Sequence, residues 1–394
     1  MTATETATVA TPATRGVDFA LWSLLFGNFI IGTGVLLPAG MLSQLASDLG
    51  VSVPAAAWLM LAGGITIGFG APLAAAITSG IDRRLLLLGS LALYAAGHLA
   101  SILAPNFAVL LALRVVTVVA AGVFTPQAAA IVGLLVPPER RAAGVAFIFL
   151  GWSISLVSGT SVAGLIATYA SWRLAYALMA GASLLALWLV AVAIPKGLRA
   201  APLSLASWGL VFGSPALLLI LLVTVANSSG QFTVLTFLQP ALKSLFAASP
   251  GEIAGVLAVF GVFGIAGNAA ASRLVANLGA ERLIAAALAA MAAEFLVLFA
   301  APGSLVLAVV AVALWGGGTF SSNSLQQARL IGRAAPLASA SVALNTSAIY
   351  IGQAVGPAVG GVLISAGHIE WLAIAACGFL LAALGLSLLA DRVS

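Results

Sequence analysis

Arg114 and Glu294 are the ionisable residues of this chain that stand deepest in apolar sequence. Arg114 is the only charged residue between positions 107 and 135, and Glu294 the only one between 283 and 301. An isolated charge in such surroundings costs about 3 kcal/mol on membrane-insertion scales, so it faces a protein interior or water. There it can carry a proton, meet a charged ligand, or hydrogen-bond backbone carbonyls. On a helix, Val118, Ala121 and Thr125 share the face of Arg114, while Gln127 points elsewhere. Asp18, at the mouth of the first apolar run, is expected to cap that helix or to pair with Arg15. His98 has no carboxylate or second histidine near it in sequence and reads as a satisfied structural histidine.

Neutral amides are the commonest deep polar groups. Asn28 stands alone. Asn227 and Gln231 are four residues apart, as are Thr319, Asn323 and Gln327, so each set shares a helical face. Asn345, Tyr350 and Gln353 follow in the next apolar run. Such groups contact a ligand or bond one helix to another, the latter being worth about 0.6 kcal/mol per bond. Asp82, Arg83 and Arg84 occupy a loop of a few residues. The plain reading is an ordinary basic loop. The functional one is a conformational latch, in which the carboxylate favours the positive N-terminus of a neighbouring helix when that side is closed.

The elements that must position these residues are set by composition. Hydrophobic residues make up 62% of the 394-residue chain and charged residues 6%, with mean hydropathy +1.20. A soluble domain carries about 25% charged residues, so this chain could not cover a water-facing surface. The apolar runs are continuous rather than short and alternating, which predicts helices, not transmembrane strands. Twelve segments qualify, at about 19–42, 55–78, 85–103, 107–135, 143–168, 172–194, 214–238, 251–273, 283–301, 304–327, 338–366 and 371–390. Twelve Lys and Arg fall on one side (Arg15, Arg83, Arg84, Arg140, Arg141, Lys196, Arg199, Arg273, Arg282, Arg329, Arg333 and Arg392). Only Arg173 and Lys243 fall on the other, and Arg114 is the fifteenth. By the positive-inside rule both termini are cytoplasmic.

The pI near 10 reflects dispersed charge and not a basic run interleaved with aromatics, so no nucleic-acid partner is expected. A single cysteine, Cys377, excludes an internal disulfide and a multi-cysteine metal site. No cofactor is expected, and no nucleotide-binding loop is present. The glycines at 316–318 lie in an apolar run without a following Lys-Ser/Thr.

The chain also repeats itself. Asp82-Arg83 returns as Glu281-Arg282 and Trp172 as Trp371, each 199 positions on. Gly159 to Gly164 has a counterpart in Gly356 to Gly361, and Gly122 to Gln127 in Gly318 to Asn323. Two apolar halves imply a duplicated membrane bundle with a site at the seam. The expected fold is an all-α polytopic membrane protein of twelve transmembrane helices in two pseudo-symmetric six-helix bundles. Its parts are a disordered tail (1–17), a first bundle (18–194), a cytoplasmic linker (195–212) and a second bundle (213–391). Gly352, Gly356 and Gly360, like Gly64 and Gly68, recur every four residues and allow helices to approach closely. Pro126 and Pro357 are expected to bend their helices.

Six plus six helices with cytoplasmic termini and a central linker resemble the major facilitator superfamily. Local motifs extend the resemblance over about residues 18 to 391. Gly70-Ala71-Pro72-Leu73 followed by Ile81-Asp82-Arg83-Arg84 and Leu85 looks like a shortened form of the superfamily's loop signature. Arg114 followed by Gly122 looks like the arginine motif of its proton-linked members. Asp48-Leu49-Gly50-Val51-Ser52, Pro137-Pro138-Glu139-Arg140-Arg141, Trp172-Arg173 and Asn345-Thr346-Ser347 resemble the twelve-span drug:proton antiporter branch. Two motifs depart from it. Gly32-Thr33 is followed by Gly34-Val35-Leu36 with no acid, and the antiporter motif of the fifth span reads Gly159-Thr160-Ser161-Val162-Ala163-Gly164.

The resemblance implies that spans one, four, seven, ten and eleven line a central cavity. It thereby makes Asn28, Arg114, Asn227, Gln231, Asn323, Asn345, Tyr350 and Gln353 the candidate substrate contacts. Arg114 would then bias protonation or substrate charge near the cytoplasmic half, or else pin carbonyls at helix ends. Asp82, Arg83 and Arg84 would form a cytoplasmic gate. Glu294 and Asp18 are the candidate proton sites, but the ninth helix is peripheral in the superfamily. Glu294 is therefore expected to be a paired structural carboxylate.

The leading expectation is a bacterial inner-membrane secondary transporter, monomeric and in contact with lipid, small-molecule substrate and, if coupled, protons. It would export a neutral or amphipathic solute by alternating access. The alternative is an uncoupled facilitator or importer of a sugar- or nucleoside-like solute, and the remote one a non-transporting sensor. An enzyme is not expected: two histidines, one cysteine and one deep carboxylate supply no convergent catalytic set.

Overall fold

The computed structural model describes residues 12–78, 80–137, 140–198, 205–300, 303–333 and 337–393. Twelve helical spans among them are long and apolar enough to cross a membrane. The first bundle holds α1 (Pro12–Leu36), α2 (Trp58–Ile77), α3 (Arg83–Ile102), α4 (Phe107–Leu135), α5 (Arg141–Tyr169) and α6 (Trp172–Ala193). The second holds α7 (Pro215–Leu235), α8 (Pro250–Leu278), α9 (Ala280–Ala300), α10 (Leu305–Arg333), α11 (Ala338–Ser365) and α12 (Leu372–Arg392). The described residues contain no strand. The all-helical, twelve-span expectation is met.

Hydrocarbon offers no water to backbone groups, so each span closes its hydrogen bonds internally, and several carry a side-chain cap at the N-terminus. Asp82, Asn106, Ser171, Ser214 and Ser249 stand at N-caps and accept from first-turn N–H groups. Ser249 and Glu252 form a complete capping box at α8. Pro126 and Pro357 lie inside helices that continue past them.

Several boundaries differ from the sequence expectation, two of them with consequences. Residues 12–17 of the expected disordered tail form the first turns of α1. Pro12 needs no partner for a missing N–H at the first helical position, and nothing from Ala13 to Phe19 breaks the helix. In the second bundle, α10 runs to Arg333 instead of stopping near 327. Arg329, counted above as a loop cation, is therefore a buried helical residue at 2% exposure. Within the expected linker, Leu205–Phe212 is helical, and Val211 is buried among Leu217, Ile220 and Leu344 of the second bundle.

Each bundle has its own apolar core. Leu24, Ile31, Leu91, Tyr94, Phe124 and Trp172 centre the first, and Phe260, Met291, Phe295, Trp315 and Leu380 the second. Small residues let helices meet at backbone distance. A Cβ on Gly356 would stand 2.6 Å from the Ser229 carbonyl oxygen of α7, and one on Gly64 2.7 Å from the Tyr350 carbonyl oxygen of α11. The second contact joins the halves, since α2 packs on α11 as α5 packs on α8. At the face opposite the termini the seam is closed. All of Leu37–Met41 is buried, and Leu42, Ala46, Ala56 and Ala57 of the first half belong to the core of the second.

At the face carrying the termini each half has a three-way clasp built on the repeat. In the first, Arg83 Nη1 donates to Gln127 Oε1 of α4 at 2.9 Å and Arg84 Nη2 to the Ala191 carbonyl of α6 at 2.7 Å. In the second the polarity is reversed. Arg329 and Arg333 of α10 reach Asp391 of α12 at 2.7 and 3.1 Å, and Arg333 lies 3.8 Å from Glu281. The Arg329 side chain is fully buried, so Asp391 offsets a charge that water cannot reach. Asp391→Asn should destabilise the second bundle by about 3 kcal/mol, read as a lower melting temperature in detergent. Unchanged melting would show that Arg329 is held by Ser387 alone.

Candidate functional site

Asn28, Thr125 and Trp152 form a chain across three helices of the first bundle. Trp152 Nε1 donates to Thr125 Oγ1 at 3.2 Å, Thr125 donates to Asn28 Oδ1 at 3.0 Å, and Asn28 Nδ2 donates to the Ile148 carbonyl at 3.2 Å. The Trp152 ring then meets Tyr350 of α11 edge-on at 6.3 Å, so the chain ends on the opposite half. This aromatic pair sits at the seam. Trp152 was not among the sequence candidates, because an indole in an apolar run carries no signal of its own.

The second bundle holds an amide ladder across α7, α10 and α11. Gln231 Nε2 donates to Asn227 Oδ1 at 2.8 Å, and Asn227 Nδ2 to Ser322 Oγ at 3.2 Å. Thr224 donates to Asn345 Oδ1 at 2.6 Å, and Gln326 donates to Thr224 and to the Ile220 carbonyl. Three polar atoms stay buried without a partner: Asn345 Nδ2, Gln353 Nε2 and Gln326 Oε1. Asn323 is exposed on α10 and accepts from Gln327 at 3.5 Å. Gln326, 199 positions after Gln127, was missed because it lies off the Asn323–Gln327 face.

A model of the family described as the Major Facilitator Superfamily matches residues 24–347. The chain belongs to the major facilitator superfamily. It is 28% identical over 355 residues to the inner membrane transport protein YdhP of Escherichia coli strain K12, covering 89% of this chain and 90% of that one. It is 30% identical over 349 residues to a chloramphenicol resistance protein of Streptomyces lividans, covering 86% and 87%. Among solved structures, a D-xylose-proton symporter matches with TM-score 0.76 at 17% identity, covering 94% of this chain and 97% of that one. An inward-facing, unoccupied bacterial homologue of the lysosomal transporter Spinster matches with TM-score 0.73 at 17% identity, covering 98% of both.

Several motifs of this major facilitator protein meet in space. Trp172 Nε1 donates to Asp48 Oδ2 at 2.9 Å, Arg173 lies 3.9 Å from the same carboxylate, and its guanidinium stacks over Trp172 at 4.2 Å. Asp48-Leu49-Gly50 and Trp172-Arg173 are thus one clasp on the face opposite the termini. Pro138, Glu139 and the side chains of Arg15 and Arg141 lie outside the described residues.

Arg114 differs from expectation in place. It is seven residues into a helix that starts on the face opposite the termini, about 10 Å along α4, and not in the half nearer the termini. Its side chain, 2% exposed, donates from Nη1 to the Gly34 carbonyl at 2.7 Å, from Nη2 to Val35, and from Nε to Leu59 at 3.3 Å. The reason lies in α1, which ends at Leu36 and tightens into a 3₁₀ turn containing Pro38. Proline has no N–H to return to Gly34 four residues back, or to Val35 three back. Arg114 supplies the missing donors.

Four other candidates also depart. Asp18 lies six residues inside α1 and cannot cap it; its side chain is exposed, and that of Arg15, its other expected partner, lies outside the described residues. Glu294 is buried, and its Oε2 has no partner, so the expected paired carboxylate is not found among the described residues. Both nitrogens of buried His98 lack partners, against its reading as a satisfied histidine. It packs on Tyr94 at 4.5 Å and Tyr176 at 5.6 Å, where apolar walls fix it by shape and not by hydrogen bonds. Among the described residues Asp82 meets no other helix's N-terminus. It caps its own α3 through Arg84 and Leu85, and it accepts from Gly197 N of the linker at 2.6 Å.

Two outcomes follow. Arg114→Ala should cost about 3 kcal/mol by leaving buried carbonyls unpaired. Pro38→Ala in that background should recover part of it, because a new N–H reaches Gly34; additive losses in a double-mutant cycle would refute the link. At Asp82, partial desolvation raises the carboxyl pKa, but backbone N–H groups of Leu85, Gly197, Arg84 and Leu198 outweigh it and hold it below 3.8. Its grip on the linker is complete above that unfolded value and lost as pH falls through the lowered one. Asp82→Asn should speed exchange of the Gly197 amide about tenfold; unchanged exchange would show that the bond holds nothing.

Proposed function

We propose that the protein is a secondary transporter that exports a small neutral or amphipathic solute from the cytoplasm by alternating access. The observation that carries this is the amide ladder of α7, α10 and α11. Two donors and one acceptor stand buried and unpaired there, beside the Trp152–Tyr350 pair. Buried polar atoms are costly unless a partner arrives, and neutral hydrogen-bonding solutes supply donors and acceptors without charge. The guanidinium of Arg114 is spent on three carbonyls, which weakens the case for an anionic substrate.

The names of two relatives agree in chemistry. One is a chloramphenicol resistance protein, and another, of Helicobacter pylori strain G27, is a probable sugar efflux transporter, 27% identical over 359 residues. The closed seam opposite the termini, with the exposed Asn323 of α10, supports a state in which the solute enters from the terminal side. The twelve-to-two charge split supports reading that side as cytoplasmic. Asp82, Arg83 and Arg84 fit a gate that releases the linker when the halves rock.

A second reading, an uncoupled facilitator, is favoured by the lack of a carboxylate in α4 and of any beyond Asp18 in α1. Flux in proteoliposomes tests both readings. With a panel of neutral drugs and sugars, Asn345→Leu and Gln353→Leu should each lower flux of a transported solute about tenfold. Unchanged flux in both would exclude the ladder as the binding surface. An imposed pH gradient that drives the flux supports coupling, and indifference to it supports the facilitator.

A further inference from the structure

At the terminal face of the first bundle a cavity of about 370 Å³ opens between the start of α1, the end of α4 and the start of α5. Its walls carry Asp18 and Arg140, of opposite charge, beside Leu21, Trp22 and Phe147. Asp18 and Trp22 are four residues apart and share a face of α1. Trp22 is 60% exposed, and its ring rests edge-on against Phe147 at 4.9 Å. A wide, exposed indole near the end of a spanning helix is the arrangement that membrane interfaces favour.

Among the described residues, neither Asp18 nor Arg140 takes part in an ion pair. Opposite charges that line one cavity without meeting leave room for a ligand carrying the complementary pair on a short spacer. Arg140 directly precedes α5, whose first-turn N–H groups and dipole add to its pull on an anion. The apolar walls ask for the rest of that ligand to be hydrocarbon. A soluble zwitterion would leave Trp22 and Phe147 unused.

We propose that this cavity holds the headgroup of a membrane phospholipid bearing a primary ammonium. The phosphate lies at Arg140 and the start of α5, the ammonium at Asp18, and the acyl chains run over Trp22 and Phe147. A primary ammonium donates hydrogen bonds to the Asp18 carboxylate, as a lysine would, whereas a trimethylammonium has no N–H to give. The proposal stands apart from the transport reading, since neither charge belongs to the amide ladder.

The test is native mass spectrometry of the full chain from micelles holding equal amounts of phosphatidylethanolamine, phosphatidylcholine and phosphatidylglycerol with identical acyl chains. Phosphatidylethanolamine should be retained about fivefold over the other two, the worth of one interfacial charge contact. Asp18→Asn should remove that preference, and Arg140→Gln should lower retention of all three, which share the phosphate. Both side chains are exposed, and melting temperatures equal to the parent's would confirm intact folding. Equal retention of the three lipids overturns the proposal, as does an Asp18→Asn variant that keeps the parent's preference or an Arg140→Gln variant that keeps the parent's retention. Thermal stabilisation by soluble glycerophosphoethanolamine as large as by the lipid would assign the cavity to a free headgroup and overturn it too.

Discussion

A backbone carbonyl inside a membrane has no water to turn to, and at the far end of α1 that constraint shapes the bundle around it. Pro38 removes the donor that Gly34 and Val35 would use, and Arg114 from α4 restores it, reaching Leu59 of α2 as well. One side chain therefore ties three helices at the place where the first of them breaks. The residues after the break, Leu37–Met41, are all buried, and those beyond it enter the core of the other half. The closed face of the seam rests on that repaired helix end.

The same economy of charge explains the contrast between the halves. In the first, with His98 left over, much of the deep polarity is taken up by structural work: Arg114 on carbonyls, Asn28 on Thr125 and Ile148, Arg83 on Gln127. In the second, beside the buried Arg329 and Glu294, the deep groups are amides and hydroxyls that bond to one another and leave atoms over. Leftover atoms are a liability in a finished core and an asset in a surface that receives a ligand. Trp152 and Tyr350 connect the two regimes at the seam.

Much of the fold was legible in the sequence because membranes impose few solutions. Apolar runs, loop cations and the 199-residue echo led to twelve helices in two bundles. The site was legible only in kind. Asn227 and Gln231 bond to each other as their spacing implied, and Asn345 bonds to Thr224 in a separate group, but Trp152 and Gln326 gave no sign, and Arg329 was hidden by a helix longer than its apolar run. Carbonyl pinning by Arg114 was one of the sequence readings, but its place was misjudged, because it lies only seven residues after the start of α4 on the face opposite the termini. Asp18 failed as a cap for a local reason: α1 starts at Pro12, before the apolar run does.

The central claim is that the two halves alternate as rigid bodies around the seam between them. With Cys377, the only cysteine, replaced, spin labels can be placed at Ala170 and Lys243 on the face opposite the termini, and at Ile77 and Ala328 toward the terminal face. Pulsed dipolar spectroscopy in lipid would then follow both distances while a solute identified by flux is added. The account predicts that one distance lengthens as the other shortens. If both stay fixed, or both move in the same sense, the halves do not alternate and the account is wrong.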